Sequence, residues 1–206
     1  PIHPTSMTKW RNRVGADRLA ELLKETIDLA VREKHLPKRD LERVNVDTTV
    51  QEKNITFPTD TKLYKRVIEH CVDIAGKEGI LLRQSYKRTT KKLMLAQRFR
   101  NHPKNRKKAL SAQRKLKTIA GRLVRELERK LPATSLLTYA QEIEIYKRIL
   151  SQERKSKNKI YSIHEPQVYC ISKGKDHKKY EFGSKSSIVM TKNSGIIVGA
   201  VSFSKN

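Results

Sequence analysis

The sequence predicts a mixed fold of the α+β or α/β class, in which a long helical segment separates an early strand from several later ones. Changes of hydrophobic period support this prediction. Apolar residues recur at helical steps in residues 19–31 and again beyond Pro58, whereas residues 44–50 alternate with a period of two. After residue 158, runs rich in Ile, Val, Tyr and Phe are separated by turn-forming residues, which is typical of strands.

Residues 1–40 are predicted to form a small helical unit. Its main helix has one apolar face, made of Leu19, Leu22, Leu23, Ile27, Ala30 and Val31. This helix is expected to end near Pro37. A shorter helix is predicted after Pro4. It would carry Trp10 inward and Arg11 and Arg13 outward.

Residues 41–58 contain a predicted strand. One face of this strand holds Val44, Val46, Thr48 and Val50. The other face holds Asn45, Asp47 and Thr49. Asp47 is therefore expected to face away from the valines, with its carboxylate held by a rigid backbone.

Residues 59–158 are predicted to form a helical insertion. Its first helix, closed by Gly76 and Gly79, has an apolar face of Leu63, Val67, Ile68, Cys71 and Ala75. In residues 85–130 the apolar stripe is narrow and consists of Leu116, Ile119, Ala120, Leu123 and Leu127. A third helix contains Tyr139, Ile143, Tyr146, Ile149 and Leu150. Narrow stripes predict an antiparallel hairpin of helices that projects from a domain without a thick core, with Pro103 breaking the first arm.

Residues 159–206 are predicted to form strands. The runs with strand character are 159–164, 167–171, 180–190 and 195–203. Between the last two runs, residues 191–195 supply Asn, Ser and Gly, which tolerate a positive φ angle. These two strands are therefore predicted to pair as a hairpin.

The composition indicates a polyanionic partner. The 206 residues include 46 Lys and Arg against 21 Asp and Glu, a formal net charge of +25, and nucleic acid is the partner that such a charge favours. Cys71 and Cys170 lie far apart, which indicates neither a disulfide framework nor a zinc site. No apolar run is long enough to span a bilayer, so a soluble, intracellular protein is expected.

The positive charge is concentrated in the helical insertion. A dense basic run contains Arg83, Lys87, Arg88, Lys91, Lys92, Arg98, Arg100, Lys104, Arg106, Lys107, Lys108, Arg114, Lys115 and Lys117, with no acid among them. Ordinary solvated helix faces mix both signs of charge, whereas this one does so only from Glu126 onward. The run therefore predicts contacts with DNA phosphates, which position a protein without reading base sequence.

Asp47 is the candidate catalytic residue. Enzymes that cut or join phosphodiesters with two divalent ions need carboxylates fixed close together, and a central strand is a rigid place to present one. A lone Asp on a strand is weak evidence, because caps and turns also use this residue type.

Several segments resemble the DDE transposases of the insertion-sequence-five group. The most specific is the block from Lys159 to Lys185, with its run Lys159–Lys175 and its continuation His177–Lys185. Val46–Gln51 and the following Phe57–Asp60 are similar as well. The front segments Pro4–Ser6 and Trp10–Gly15 resemble the end of the helical, DNA-binding region that precedes the catalytic domain in that group.

The resemblance implies a partial RNase H-like catalytic domain, interrupted after its first strand by the basic insertion. Asp47 matches the first acid of an Asp-Asp-Glu triad that holds Mg²⁺, or Mn²⁺, for strand cleavage and transfer. The second Asp and the Glu are expected beyond Asn206, so the chain is interpreted as a fragment of a longer transposase that is inactive by itself. Glu142, Glu144 and Glu165 are poor substitutes, since a helix face or a loop explains them.

The resemblance also implies partners and a location. DNA is the expected partner, both as element ends and as target, and the complete enzyme is expected to form a homodimer in the bacterial cytoplasm, at the nucleoid. Arg11 and Arg13 are candidates for contact with the element ends. Lys185, beside Gly183 in a predicted strand, is a candidate for a phosphate contact near the active site.

Other functions remain open at this point. A non-enzymatic nucleic-acid-binding protein would explain the charge equally well, although it would not explain the block from Lys159 to Lys185. A remnant that folds poorly is a further alternative, because a sheet that lacks its later strands leaves an edge open.

Overall fold

The computed structural model describes residues 3–153, 155–172, 174, 176 and 179–203. The fold is α+β, with helices and an antiparallel sheet. The helices are α1 (Pro4–Arg32), a 3₁₀ helix (Lys38–Leu41), α2 (Asp60–Lys77), α3 (Lys87–Leu95), α4 (Pro103–Lys130), α5 (Ala133–Thr138) and α6 (Ala140–Ser151). The strands are β1 (Val44–Glu52), β2 (Tyr169–Ile171), β3 (Glu181–Thr191) and β4 (Ile197–Phe203). None of the helices in this part of the chain has the length and apolar character of a membrane span.

The strands form one sheet in the order β1-β3-β2, and β4 also pairs with β3. β3 and β4 are antiparallel, with Lys185 opposite Phe203 and an irregularity at Val189. Gly195 has a φ angle of 66°, a left-handed conformation that costs glycine little. The predicted hairpin is therefore confirmed.

The chain divides into two compact units. The strand unit comprises residues 1–51 and 184–206, and the helical unit comprises residues 52–183. Among the described residues, the buried hydrophobic side chains belong almost entirely to the helical unit, with Leu36 as the exception. Apolar burial, the main stabilising contribution to folding, is thus concentrated in residues 52–183.

The helical unit has a packed core, which corrects the expectation of a projecting hairpin. Helices α2, α4 and α6 pack around Leu63, Val67, Ile68, Cys71, Leu116, Leu123, Leu127, Ile143, Tyr146 and Ile149. The buried side of α4 also includes the small residues Ala109, Ala112 and Ala120, which allow neighbouring elements to approach this helix closely. The fully buried Tyr146 hydroxyl donates a hydrogen bond to a Glu142 carboxylate oxygen at 3.0 Å, which satisfies its polar end.

Residues 159–164 do not form the predicted strand. Both backbone polar groups of Ile160 are instead satisfied by one side chain: the Gln152 Oε1 accepts from the Ile160 amide at 3.0 Å, and the Gln152 Nε2 donates to its carbonyl at 3.3 Å. Ile160 itself is buried in the helical core. The β-branched side chains of Ile160 and Ile163 therefore pack against helices and not within a sheet. The predicted strand 167–171 is shorter than expected, as β2.

The strand unit contains α1, the 3₁₀ helix, β1, most of β3, and β4. The two helices predicted in residues 1–40 are continuous in α1 except for a kink at Gly15, whose φ and ψ angles are 78° and 175°. Trp10 is 42% exposed, so the prediction that it points into a core is wrong. A hydrogen bond of 2.9 Å from the Asn193 side chain to Asp40 Oδ1 joins the β3–β4 turn to the 3₁₀ helix.

Candidate nucleic-acid interface

Most of the basic run lies on α3, on α4 and on the turn that joins them, within the helical unit. α3 ends at Leu95 and α4 begins at Pro103, so the predicted break at Pro103 is confirmed. The imidazole of His102 caps α4 by accepting from the Lys104 amide at 3.3 Å, and Pro103 occupies the first turn, where no amide donor is needed. The Gln97 side chain donates to the Ala109 carbonyl at 2.7 Å and fixes the turn against α4.

The cationic side chains of this segment are exposed and lack acidic partners. Sixteen Lys and Arg residues lie between Gly79 and Glu126, with no acid in that interval, and all sixteen are exposed. Within the described part of the chain, none of them forms an ion pair. The predicted members of this surface, which we call the basic surface, are Lys87, Arg88, Lys91, Lys92, Arg98, Arg100, Lys104, Arg106, Lys107, Lys108, Arg114, Lys115 and Lys117, together with Arg83.

On α4 the basic side chains follow rows parallel to the helix axis. One row holds Lys104, Lys108, Lys115 and Arg122, at steps of four and seven residues. These steps keep side chains on one side of a helix. At 1.5 Å per residue the row is about 27 Å long. The buried stripe of α4 lies on a different side of the helix from this row, so core packing fixes the direction of the charges.

The acids at the end of α4 are already engaged. Glu126 forms an ion pair of 2.7 Å with Lys130 and accepts a hydrogen bond of 2.9 Å from the Arg83 amide. The Lys130 hydrogen bond is the main reason that the pKa of the Glu126 carboxyl is lowered. Glu128 lies 2.5 Å from the Lys147 ammonium. These pairings engage the two acids at the end of α4.

Sequence reasoning missed several exposed cations. Arg122 and Arg125 extend the surface along α4, and their spacing from Lys115 and Arg114 was the signal that could have identified them. The half-buried Lys65 and the exposed Arg66 of α2, both paired with Glu69, line a groove of about 790 Å³ between α2 and α3, and the acids Glu69 and Asp73 line it as well. The same groove is lined by Lys87, Lys91 and Arg98 of the basic surface. Only folding brings the α2 cations beside the basic run.

Asp47 lies on β1 and is exposed. Val46 is 63% exposed, however, so the valine face of this strand is not covered by a core. The adjacent Thr48 hydroxyl lies 2.7 Å from the Ser187 hydroxyl on β3. β1 thus presents Asp47 from a strand that is paired within the sheet.

The structure does not assemble a divalent-metal site from the candidate carboxylates among the described residues. The described residues contain no group of three or more His, Cys, Asp and Glu side chains that could hold an ion. Glu142 accepts from Tyr146, and Glu165 forms an ion pair of 3.3 Å with Lys53. A single carboxylate is too few for a magnesium or manganese pair.

The remaining predicted contact residues lie apart in the sequence and on different elements. Arg11 and Arg13 are exposed on α1, in the part that precedes the kink. Lys185 is half-buried on β3, opposite Phe203 of β4. Lys173, Lys175, His177 and Lys178, within the block that carries the resemblance, lie outside the described residues.

The fold and this surface define an α+β protein with an exposed cationic helical face. No protein-family model matches the chain, and no solved structure matches it. The chain is 45% identical over 102 residues to the uncharacterized protein ORF8 in the nfe locus of Rhizobium meliloti, a match that covers 50% of this chain and 49% of that protein. The chain therefore spans about half the length of this relative.

Proposed function

We propose that this protein binds DNA through the basic surface of α3 and α4. The observation that carries the proposal is the absence of any ion pair among the sixteen exposed cations between Gly79 and Glu126 in the described structure. Side chains without acidic partners are free to neutralise phosphates and release condensed counterions. A surface row about 27 Å long gives DNA several contacts at once.

Within that function, we propose that the chain is part of a DDE transposase of the insertion-sequence-five group. The residue resemblance supports this, as does the order of one strand, a helical insertion and then a hairpin, which an interrupted RNase H-like domain requires. Asp47 would be the first acid of the triad. The described residues contain no group of three or more potential metal ligands that would complete the triad.

The second candidate function is DNA binding without catalysis. The exposed cations of the basic surface favour it, since neutralising phosphates needs no catalytic residue. The two candidates differ in what surrounds the gene: a transposase gene of this kind lies between inverted repeats that its product recognises. Sequencing the flanking DNA tests this directly. Inverted repeats on both sides are expected, and their absence would leave only the non-enzymatic function.

The DNA-binding proposal is tested by neutralising one row of α4. The variant Lys108→Gln/Lys115→Gln/Arg122→Gln removes three exposed cations that have no acidic partner. Affinity for a duplex is measured by fluorescence anisotropy at several salt concentrations. Each lost phosphate contact lowers the steepness of log K against log salt by about 0.9, so three should lower it by roughly 2 to 3.

A matched control changes the net charge equally. Lys24, Lys38 and Lys77 are exposed, lie outside the basic surface and form no ion pair in the described part of the chain. Replacing these three lysines by Gln is expected to change the salt dependence much less. If both triple variants lose affinity equally, then only the overall charge matters, and the proposed surface is wrong.

A further inference from the structure

The turn between α3 and α4 exposes an aromatic ring among cations. Phe99 is 79% exposed, a large value for so apolar a side chain, and it stands between Arg98 and Arg100. Its φ angle is 55°, in the left-handed region that a Phe rarely adopts. The exposed ring is therefore open to a partner, at a residue whose own backbone conformation is unfavourable for Phe.

Contacts on both sides of Phe99 hold this turn in place. The Gln97 side chain donates to the Ala109 carbonyl at 2.7 Å, and the His102 amide donates to the Phe99 carbonyl at 2.9 Å. Ala109 is itself buried. Ordering of the turn is thus completed before any partner binds, so the ring can be inserted at a small further entropic cost.

We infer that Phe99 stacks on an unpaired base of the bound DNA, so that the basic surface prefers DNA with a bulge or another unpaired base. This inference rests on the proposed DNA binding. An aromatic side chain beside phosphate-binding arginines combines the stacking platform and the charge that hold unstacked bases in other nucleic-acid sites. A fully paired duplex would first have to be unstacked, which costs a few kcal/mol, whereas an unpaired base removes most of that cost.

The test compares two probes, a paired duplex and the same duplex carrying one extra unpaired base. Phe99→Ala keeps a β-carbon, so the left-handed backbone remains equally unfavourable and only the ring is lost. The variant is expected to bind the bulged duplex about tenfold more weakly, in line with the measured contribution of base–aromatic stacking. Its affinity for the paired duplex should change less than about twofold, and Phe99→Trp should retain the preference for the bulge.

Leu137→Ala is the matched control. Leu137 is also 79% exposed but lies on α5, outside the basic run, so its removal should leave both affinities unchanged. Equal affinities of wild type and Phe99→Ala for the bulged duplex would overturn the inference, and so would an equal loss on both probes. If wild-type protein binds neither probe, the proposed function fails as well. If it binds both with a steep salt dependence while Phe99→Ala has no effect, only the inference fails.

Discussion

Single residues in the core show how burial changes acid–base chemistry. Cys71 lies on α2 and is fully buried in the helical core. This burial raises the pKa of its thiol from 9.0 to about 12. Burial and the hydrogen bond to Glu142 also raise the pKa of the Tyr146 hydroxyl. The folded state therefore holds both groups in their protonated forms.

The raised pKa of the Cys71 thiol lowers the stability of the fold at alkaline pH. In the unfolded chain the Cys71 thiol ionises near 9.0, whereas in the folded chain it stays protonated until about 12. The unfolded state then binds fewer protons, so the free energy of unfolding falls as pH rises from 9 toward 12. Between pH 9 and pH 10 the loss due to this thiol is about 1 kcal/mol.

Denaturant titrations at these two pH values check the prediction. Cys71→Ala should flatten the decline, because alanine has nothing to ionise. Cys170→Ala is the comparison, since Cys170 is only partly buried and this variant retains the Cys71 thiol. A decline of the same steepness in wild type and in Cys71→Ala would contradict the burial of Cys71.

At the scale of elements, the sequence predicted helices better than strands. α2, α4 and α6 follow an apolar period that repeats over several turns, so each was identifiable. The structure of residues 159–164 was not identifiable from the sequence. A run of β-forming residues has the same composition whether its backbone pairs with a strand or with the Gln152 side chain. The packed core of the helical unit was also not predicted. The alanines in α4 add little to an apolar stripe in the sequence, but they allow close packing in the structure.

The kink in α1 gives a prediction for this element. Gly15 has φ and ψ angles of 78° and 175°, a region that essentially only glycine adopts. Gly15→Ala is therefore expected to strain the kink by about 1 to 3 kcal/mol, or to straighten α1 into one helix. Circular dichroism and denaturant titration distinguish these results.

Gly76→Ala is the control with the opposite sign. Gly76 is helical within α2, and a β-carbon there would meet no atom within 4 Å. Alanine should raise the free energy of unfolding by about 0.5 to 1 kcal/mol, because glycine loses more conformational freedom on folding. If Gly15→Ala stabilises the protein as Gly76→Ala does without added helix content, then the kink does not depend on glycine.

At the scale of the whole molecule, the composition predicted the exposed cationic surface. A net charge of +25 with no acid between Gly79 and Glu126 requires a cationic surface whatever the fold. Its arrangement was not predictable, since the direction of each row on α4 depends on which side packs against α2 and α6. The site around Asp47 was predictable only as far as one exposed carboxylate on a strand.

The most direct measurement of the central claim is chemical labelling of lysines with and without duplex DNA, read by mass spectrometry. DNA on the basic surface should protect Lys91, Lys104, Lys108 and Lys115 from acylation. Lys24 of α1 and Lys77 of α2 are exposed outside that surface and should react equally in both samples. Protection confined to the first group is the predicted result. Equal protection of both groups, or of neither, would contradict DNA binding through α3 and α4.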